Sequence, residues 1–228
     1  MGNARLFLAM AFLVVYSTAQ SQSDLAKIGE SAVWQVTPQF LASAHAACDK
    51  SLQHGDIECL IHQMAKARAP AAGVSFSREL LKQTHGEFGV MTGFQKQEPV
   101  AIAWVTYPLR ANTNYGLLLV NGQPPIVNVE DMKLLDTKTM RKSFQFQDLK
   151  DQFSKVDVWP GDRDGKIWPT SQPGPGGGTQ FVVSYPLING CHACERAGFA
   201  IFTWNFDAQG KFLGTSFMGM TPPPLTPQ

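Results

Sequence analysis

Two cysteines spaced two residues apart, Cys191 and Cys194 in the stretch CHAC, have the greatest chemical potential in this 228-residue sequence. This spacing occurs in thiol–disulfide oxidoreductases, in metal sites and in cross-linked turns. Covalent haem attachment needs a histidine directly after the second cysteine, and Glu195 stands there, so that chemistry is excluded. The surroundings of the pair must decide among the remaining readings.

A reactive first cysteine usually lies at a helix N-terminus, where the helix dipole lowers the pKa of its thiol. The segment after Cys194, ERAGFAIFTWNF, is rich in aromatic and β-branched residues and favours a strand. We therefore expect Cys191 and Cys194 to cross-link the turn of a β-hairpin, with His192 exposed at its tip. The alternative that stays open is a redox enzyme in which Cys191 is the nucleophile and Cys194 the resolving thiol.

The other two cysteines, Cys48 and Cys59, fall on successive predicted helices at similar distances from the turn between them. In an antiparallel helix pair they would lie at similar heights, which predicts a disulfide that joins the helices. A zinc site formed from both cysteine pairs and nearby histidines would not have the spacing of a known zinc motif. We expect no metal and no cofactor, and we find no GxSxG, HExxH or nucleotide-binding motif.

A second candidate site is the loop YPLRANTNYG, residues 107 to 116, between two strongly apolar segments. It carries a guanidinium from Arg110 and amides from Asn112 and Asn114. These groups can bind a carboxylate or a sugar from a loop that ligands can reach. The alternative is that the asparagines bond to their own backbone and shape the turn.

The N-terminal stretch has the layout of a secretory signal: one positive charge at Arg5, an apolar run from Leu6 to Tyr16, and small residues at Ser17 and Ala19. The apolar run is shorter than the roughly 20 residues needed to span a bilayer. We predict that residues 1–19 are removed and that no membrane span remains after cleavage. An even number of cysteines agrees with an oxidising compartment, so the protein is expected in the periplasm or outside the cell.

Composition excludes one class of partner. The whole chain has 19 basic and 18 acidic residues, and it shows no clustered basic run. Proteins that bind nucleic acid or anionic membranes by charge usually carry a basic excess. We therefore expect no nucleic acid partner, and the remaining candidates are an unknown protein or a small polar ligand.

The order of the elements predicts an α+β fold, with an N-terminal helical segment packed on a mostly antiparallel sheet. Helical spacing of apolar residues dominates residues 20–86, and strand patterns dominate residues 87–218, within one exported domain. SQPGPGGG, residues 171 to 178, predicts a flexible loop. The proline-rich end, residues 219–228, is expected to be a mobile tail.

Two resemblances follow from the motifs. YPLRANTN, LLLVNG, YPLINGCHAC and FDAQGKFLG resemble a group of uncharacterised bacterial exported proteins, which implies a compartment and no activity. The strand, cysteine-bounded loop and strand around CHAC are similar to the inhibitor of vertebrate lysozyme. That resemblance implies a Cys191–Cys194 bridge and insertion of His192 into the lysozyme active site. This chain has two residues between the cysteines, where that family has four.

We therefore expect an exported, disulfide-stabilised binding protein that inhibits an envelope-directed enzyme, and no enzymatic activity of its own. The oxidoreductase and a purely structural envelope component are the alternatives.

Overall fold

The computed structural model describes residues 27–53, 57–84, 86–110, 114–160, 169–191 and 193–222. The predicted signal segment, residues 1–19, and the last six residues of the predicted tail lie outside the described residues. No helix in the described ranges is long and apolar enough to cross a bilayer.

Three helices form the N-terminal part: α1 (Pro38–Gln53), α2 (Glu58–Lys66) and α3 (Ala71–Gln83). At the start of α1 the Phe40 backbone N–H donates a hydrogen bond to Thr37 Oγ1 over 3.1 Å, which satisfies one of the free N–H groups of the first turn. The Cys48–Cys59 disulfide joins α1 to α2 with a Cα–Cα distance of 5.7 Å. The disulfide predicted between the first two helices is therefore present.

Four antiparallel strands form the first sheet in the order of the chain. They are β1 (Val90–Gln95), β2 (Ala101–Thr106), β3 (Tyr115–Val120) and β4 (Ile126–Asn128). The β3–β4 turn begins at Asn121, whose positive φ of 70° is a conformation that asparagine tolerates. The Asn121 side chain also exchanges two hydrogen bonds of 2.8 Å with the Ile28 backbone, which attaches the N-terminal segment to the sheet.

Two short helices, α4 (Thr137–Lys142) and α5 (Phe144–Gln152), separate the first sheet from the second. In the structure Asp136 caps α4, because its Oδ1 accepts a hydrogen bond from the Thr139 N–H, and Ser143 caps α5 in the same way.

The second sheet contains β5 (Val156–Val158), β6 (Thr170–Pro173), β7 (Thr179–Asn189), β8 (Arg196–Phe206) and β9 (Phe212–Thr221). Strands β7, β8 and β9 follow one another, and both β5 and β6 pair with β7.

Two boundaries in this sheet differ from the prediction. Ser171 to Pro173 belong to β6, because pairing with Thr179 to Phe181 of β7 supplies backbone bonds that the composition does not indicate. Strand β9 continues to Thr221, past the predicted domain boundary at residue 218.

The first sheet is the middle layer of the molecule. One of its faces, which includes Ala103, Val105 and Leu118, packs against Phe76 and Leu80 of α3. Its other face packs against the inner face of the second sheet. The residues of that inner contact include Ile102, Leu117, Leu119, Phe181, Val183, Phe202 and Trp204. Because side chains alternate along a strand, β2, β3 and β4 each contribute residues to both cores. The predicted α+β class is confirmed.

A buried hydrogen-bonded chain links the two sheets. The Trp204 Nε1–H of β8 donates to the Tyr185 hydroxyl of β7 over 3.0 Å. That hydroxyl donates to the backbone oxygen of Val129, just after β4, over 2.7 Å. Burial raises the pKa of Tyr185 well above its usual value, so the hydroxyl remains a donor.

We predict that Tyr185→Phe lowers the free energy of unfolding by about 2 kcal/mol, because it leaves the Trp204 N–H and the Val129 carbonyl buried without their partner. Urea denaturation followed by tryptophan fluorescence measures the change. Tyr115→Phe, at a tyrosine that is 56% exposed, is the matched control and should leave stability unchanged. Equal midpoints for the two variants would contradict a role of the buried chain in stability.

Candidate functional site

The first predicted site, the Cys191–Cys194 pair, lies at the tip of the hairpin formed by β7 and β8. The two cysteines form a disulfide with a Cα–Cα distance of 5.0 Å. Cys191 is exposed and Cys194 is half-buried. His192 lies outside the described residues. We call residues 189–191 and 193–196 the hairpin tip.

Local bonds give the hairpin tip its shape. The Asn189 N–H donates to the Glu195 oxygen over 3.0 Å, and the Cys194 N–H donates to the Cys191 oxygen over 2.8 Å. Gly190 has φ of 96°, a conformation that glycine adopts without steric penalty. The tip is thus closed by a disulfide and by two backbone hydrogen bonds.

A neighbouring strand supports the base of the tip. Asn189 Oδ1 accepts a hydrogen bond of 3.1 Å from the Lys155 N–H, next to the pairing of Val156 with Asn189. After Cys194 the chain returns directly as β8, so Cys191 does not stand at a helix N-terminus. The helix dipole that lowers the pKa of a catalytic thiol is therefore missing here.

The second predicted site, Arg110, lies in the β2–β3 connection at one end of the first sheet. Its guanidinium binds Glu87 through two bonds, Nε to Oε1 at 2.8 Å and Nη2 to Oε2 at 2.9 Å. Its Nη1 donates to Glu130 Oε2 at 2.6 Å. The guanidinium also stacks on the Tyr107 ring, with 3.7 Å from Cζ to the ring centroid. We call Glu87, Tyr107, Arg110 and Glu130 the Arg110 cluster.

The topology of the sheet explains why these residues meet. Glu87 precedes β1, Arg110 follows β2, and Glu130 follows β4. In an antiparallel sheet the start of one strand lies beside the end of the next, so all three positions fall at the same end. Gly116 of β3 leaves room for the Tyr107 ring, which a Cβ at that position would overlap.

Two carboxylates share one guanidinium in a partly buried place. The Glu130 side chain is only 8% exposed, and its Oε1 has no hydrogen-bond partner among the described residues. Burial raises the pKa of Glu130 to about 7, Arg110 opposes this effect, and the Glu87 carboxylate adds to it. Burial acts to lower the pKa of Arg110, but the bonds to Glu87 and Glu130 outweigh it and raise that pKa.

The sequence predicts a ligand-binding role for Arg110, and that role stays a prediction. In the structure two carboxylates of its own chain, Glu87 and Glu130, hold the guanidinium. Asn114 uses its backbone oxygen to accept a hydrogen bond of 2.6 Å from the Tyr107 N–H. Asn112 lies outside the described residues. Glu87 and Glu130 are not among the residues that the sequence singles out, although a glutamate directly after the apolar segment IVNV is a detectable signal.

The described residues contain no group of three or more histidine, cysteine, aspartate or glutamate side chains arranged to hold a metal ion.

The chain is thus an α+β protein of two stacked antiparallel sheets with a helical layer, a disulfide-closed hairpin tip and a partly buried arginine–glutamate cluster. The chain matches no protein-family model, no curated protein sequence and no solved structure.

We predict that Glu130 makes stability depend on pH. The folded-state pKa of about 7 lies above the ordinary carboxyl value of 4.5, so the folded state binds the proton more tightly. The contribution of Glu130 is therefore fully present below about pH 4.5 and is lost as the pH rises to about 7, with an upper limit of about 3 kcal/mol. Glu130→Gln, which is neutral at every pH, should be more stable than the wild type above pH 7, and the difference should vanish near pH 4.5.

Urea denaturation at a series of pH values measures both curves. Glu87→Gln is the companion variant. Removal of the Glu87 charge should lower the pKa of Glu130, so in this variant the loss of stability with rising pH should begin at a lower pH than in the wild type. Parallel curves for the wild type and Glu130→Gln would contradict the assignment.

Proposed function

We propose that this is an exported binding protein that presents its hairpin tip to another protein and inhibits it. The observation that carries the proposal is the exposed, cross-linked turn between two strands of 11 residues each. A binding loop that is already ordered loses little conformational freedom on association, so more of its contact energy appears as affinity. The hydrogen bond from the Lys155 N–H to Asn189 Oδ1 also holds the base of the tip in place before a partner binds.

Export is supported by the signal-like N-terminal stretch and by the two disulfides, which persist in oxidising compartments. The resemblance to the inhibitor of vertebrate lysozyme supplies the first partner to test. On this proposal His192 enters the lysozyme active site, while Cys191 and Cys194 hold it in position.

We expect the oxidised protein to inhibit hen lysozyme in a titration of cell-wall lysis, and His192→Ala to weaken inhibition by about tenfold or more, as truncation of a central contact does. His45→Ala is the matched control, because His45 is an exposed histidine of α1 far along the chain from the tip. Absence of inhibition at micromolar excess would remove lysozyme as the partner. Equal loss in the two variants would remove His192 from the contact.

A second candidate, thiol–disulfide exchange, is favoured by one observation: Cys191 is exposed, so a thiolate can reach the disulfide. The lack of a helix N-terminus at Cys191 favours a structural bridge instead.

We expect the Cys191–Cys194 pair to have a reduction potential below about −300 mV, as structural disulfides of secreted proteins do. Equilibration with glutathione buffers, followed by thiol alkylation and mass measurement, gives the value. The separate Cys48–Cys59 bridge is the internal reference in the same sample. A more oxidising potential together with a lowered pKa of the Cys191 thiol would make the protein an oxidoreductase.

A further inference from the structure

The outer face of the second sheet, opposite Tyr185 and Trp204, carries neither candidate site. Register places eight of its residues in two rows that cross strands β6, β7, β8 and β9. The first row is Gln172, Gln180, Asn205 and Gly214, and the second is Thr170, Val182, Thr203 and Ser216. We call these eight residues, with the neighbouring pair Ser184 and Ile201, the ladder face.

A chain of side-chain hydrogen bonds crosses this face. Gln172 Nε2 donates to Gln180 Oε1 at 3.1 Å, and Gln180 Nε2 donates to Asn205 Oδ1 at 2.8 Å. Asn205 Nδ2 donates to Ser216 Oγ at 3.1 Å and to the Gly214 oxygen at 3.2 Å. All of these bonds point towards β9. With neighbouring strands about 4.8 Å apart, the chain extends about 14 Å across the sheet.

This run of hydrogen bonds holds the side chains of Gln172, Gln180 and Asn205 in place, but it does not use all of their donors and acceptors. Each glutamine amide has two N–H hydrogens, and the bonds between described residues use one of them. Gln172 Oε1 and the Ser216 hydroxyl hydrogen are also free of partners within the described part of the chain. The result is a fixed row of donors and acceptors directed outward.

The ladder face is uncharged, and most of it is open. Gln172, Ser184 and Ser216 are exposed, and Gln180, Val182, Ile201 and Asn205 are partly exposed. Thr203, between Val182 and Ser216, is buried. A Cβ placed at Gly214 would meet no atom within 4 Å. None of the ten residues carries a charge, although charged residues make up 16% of the whole chain.

The composition of this face separates two kinds of partner. The cores of protein–protein interfaces are enriched in aromatic residues, methionine and arginine, and the ladder face has none of these. Sugar hydroxyls both donate and accept hydrogen bonds, as do the amides and hydroxyls here. The partly exposed Val182 and Ile201 offer apolar contact to the C–H groups of a sugar ring.

We propose that the ladder face binds a neutral polysaccharide chain, laid across the four strands along the row of amides. This site is independent of the hairpin tip, since Gln180 precedes Asn189 by nine residues of extended strand, or about 30 Å. The two functions can therefore fail separately.

Affinity electrophoresis in gels that contain hydroxyethyl cellulose or dextran tests the proposal. We expect the wild type to be retarded at low and at high salt, because no charge takes part. The double variant Gln172→Ala/Gln180→Ala should bind about tenfold more weakly, a change of about 1.4 kcal/mol. Gln83→Ala/Gln95→Ala removes two exposed glutamines elsewhere and should bind as the wild type does.

A second measurement does not rely on variants. The side-chain NH₂ signals of Gln172, Gln180 and Asn205 in NMR spectra of the wild type should shift when cello-oligosaccharides are added. The proposal is overturned if no neutral polysaccharide retards the protein, or if both double variants bind as the wild type does. Binding to alginate alone that salt abolishes would also overturn it, as would self-association that Gln172→Ala/Gln180→Ala breaks.

Discussion

The hydrogen-bonded chain from Trp204 through Tyr185 to Val129 connects the two sheets inside an otherwise apolar interface. A polar group in that position must keep its partners, because an unpaired donor or acceptor away from water is costly. It therefore fixes the register in which β7 lies over the end of β4. Strand β7 bears Tyr185 on its inner side and Gln180 on its outer side, and it ends at the hairpin tip. The positions of the tip and of the ladder face follow from that one alignment.

The same alignment places the Arg110 cluster. Val129 accepts the hydrogen bond from the Tyr185 hydroxyl, and Glu130 is the next residue in the chain. The bond that holds Val129 in place therefore also keeps the Glu130 carboxylate close to the interior. Burial of Glu130 disfavours its charge, and Arg110 compensates only in part because it is shared with Glu87. The consequence is a carboxyl group with a pKa of about 7 at the end of the first sheet, where the β2–β3 loop is held.

Two candidate binding surfaces of different chemistry, the hairpin tip and the ladder face, belong to the second sheet. The hairpin tip is short, covalently closed and carries polar and charged groups, which suits insertion into a cleft. The ladder face is broad, uncharged and ordered by amide bonds, which suits an extended neutral chain. A disulfide closes the first and amide hydrogen bonds order the second, so on the proposed functions each would contribute affinity at a small cost in conformational entropy.

The features that can be predicted from the sequence are those that depend on residues close together in the chain. Helical spacing over residues 20–86 and strand patterns over residues 87–218 predict the α+β class, since such periodicity acts over a few residues. The disulfides are predictable for the same reason: their cysteines are 11 and 3 residues apart. The sequence also places Arg110 and Asn114 in a loop, but it does not show which groups the Arg110 guanidinium binds.

Contacts between residues far apart in the chain depend on the packing of the folded protein. Glu87 lies 23 residues from Arg110, and Gln180 lies 25 residues from Asn205. Strand β6 forms in a segment rich in glycine and proline because β7 offers it backbone partners. In each case a sheet register brings distant residues together, and a shift by one residue would move every side chain to the opposite face. That register results from the packing of whole layers, which no local pattern of residues contains.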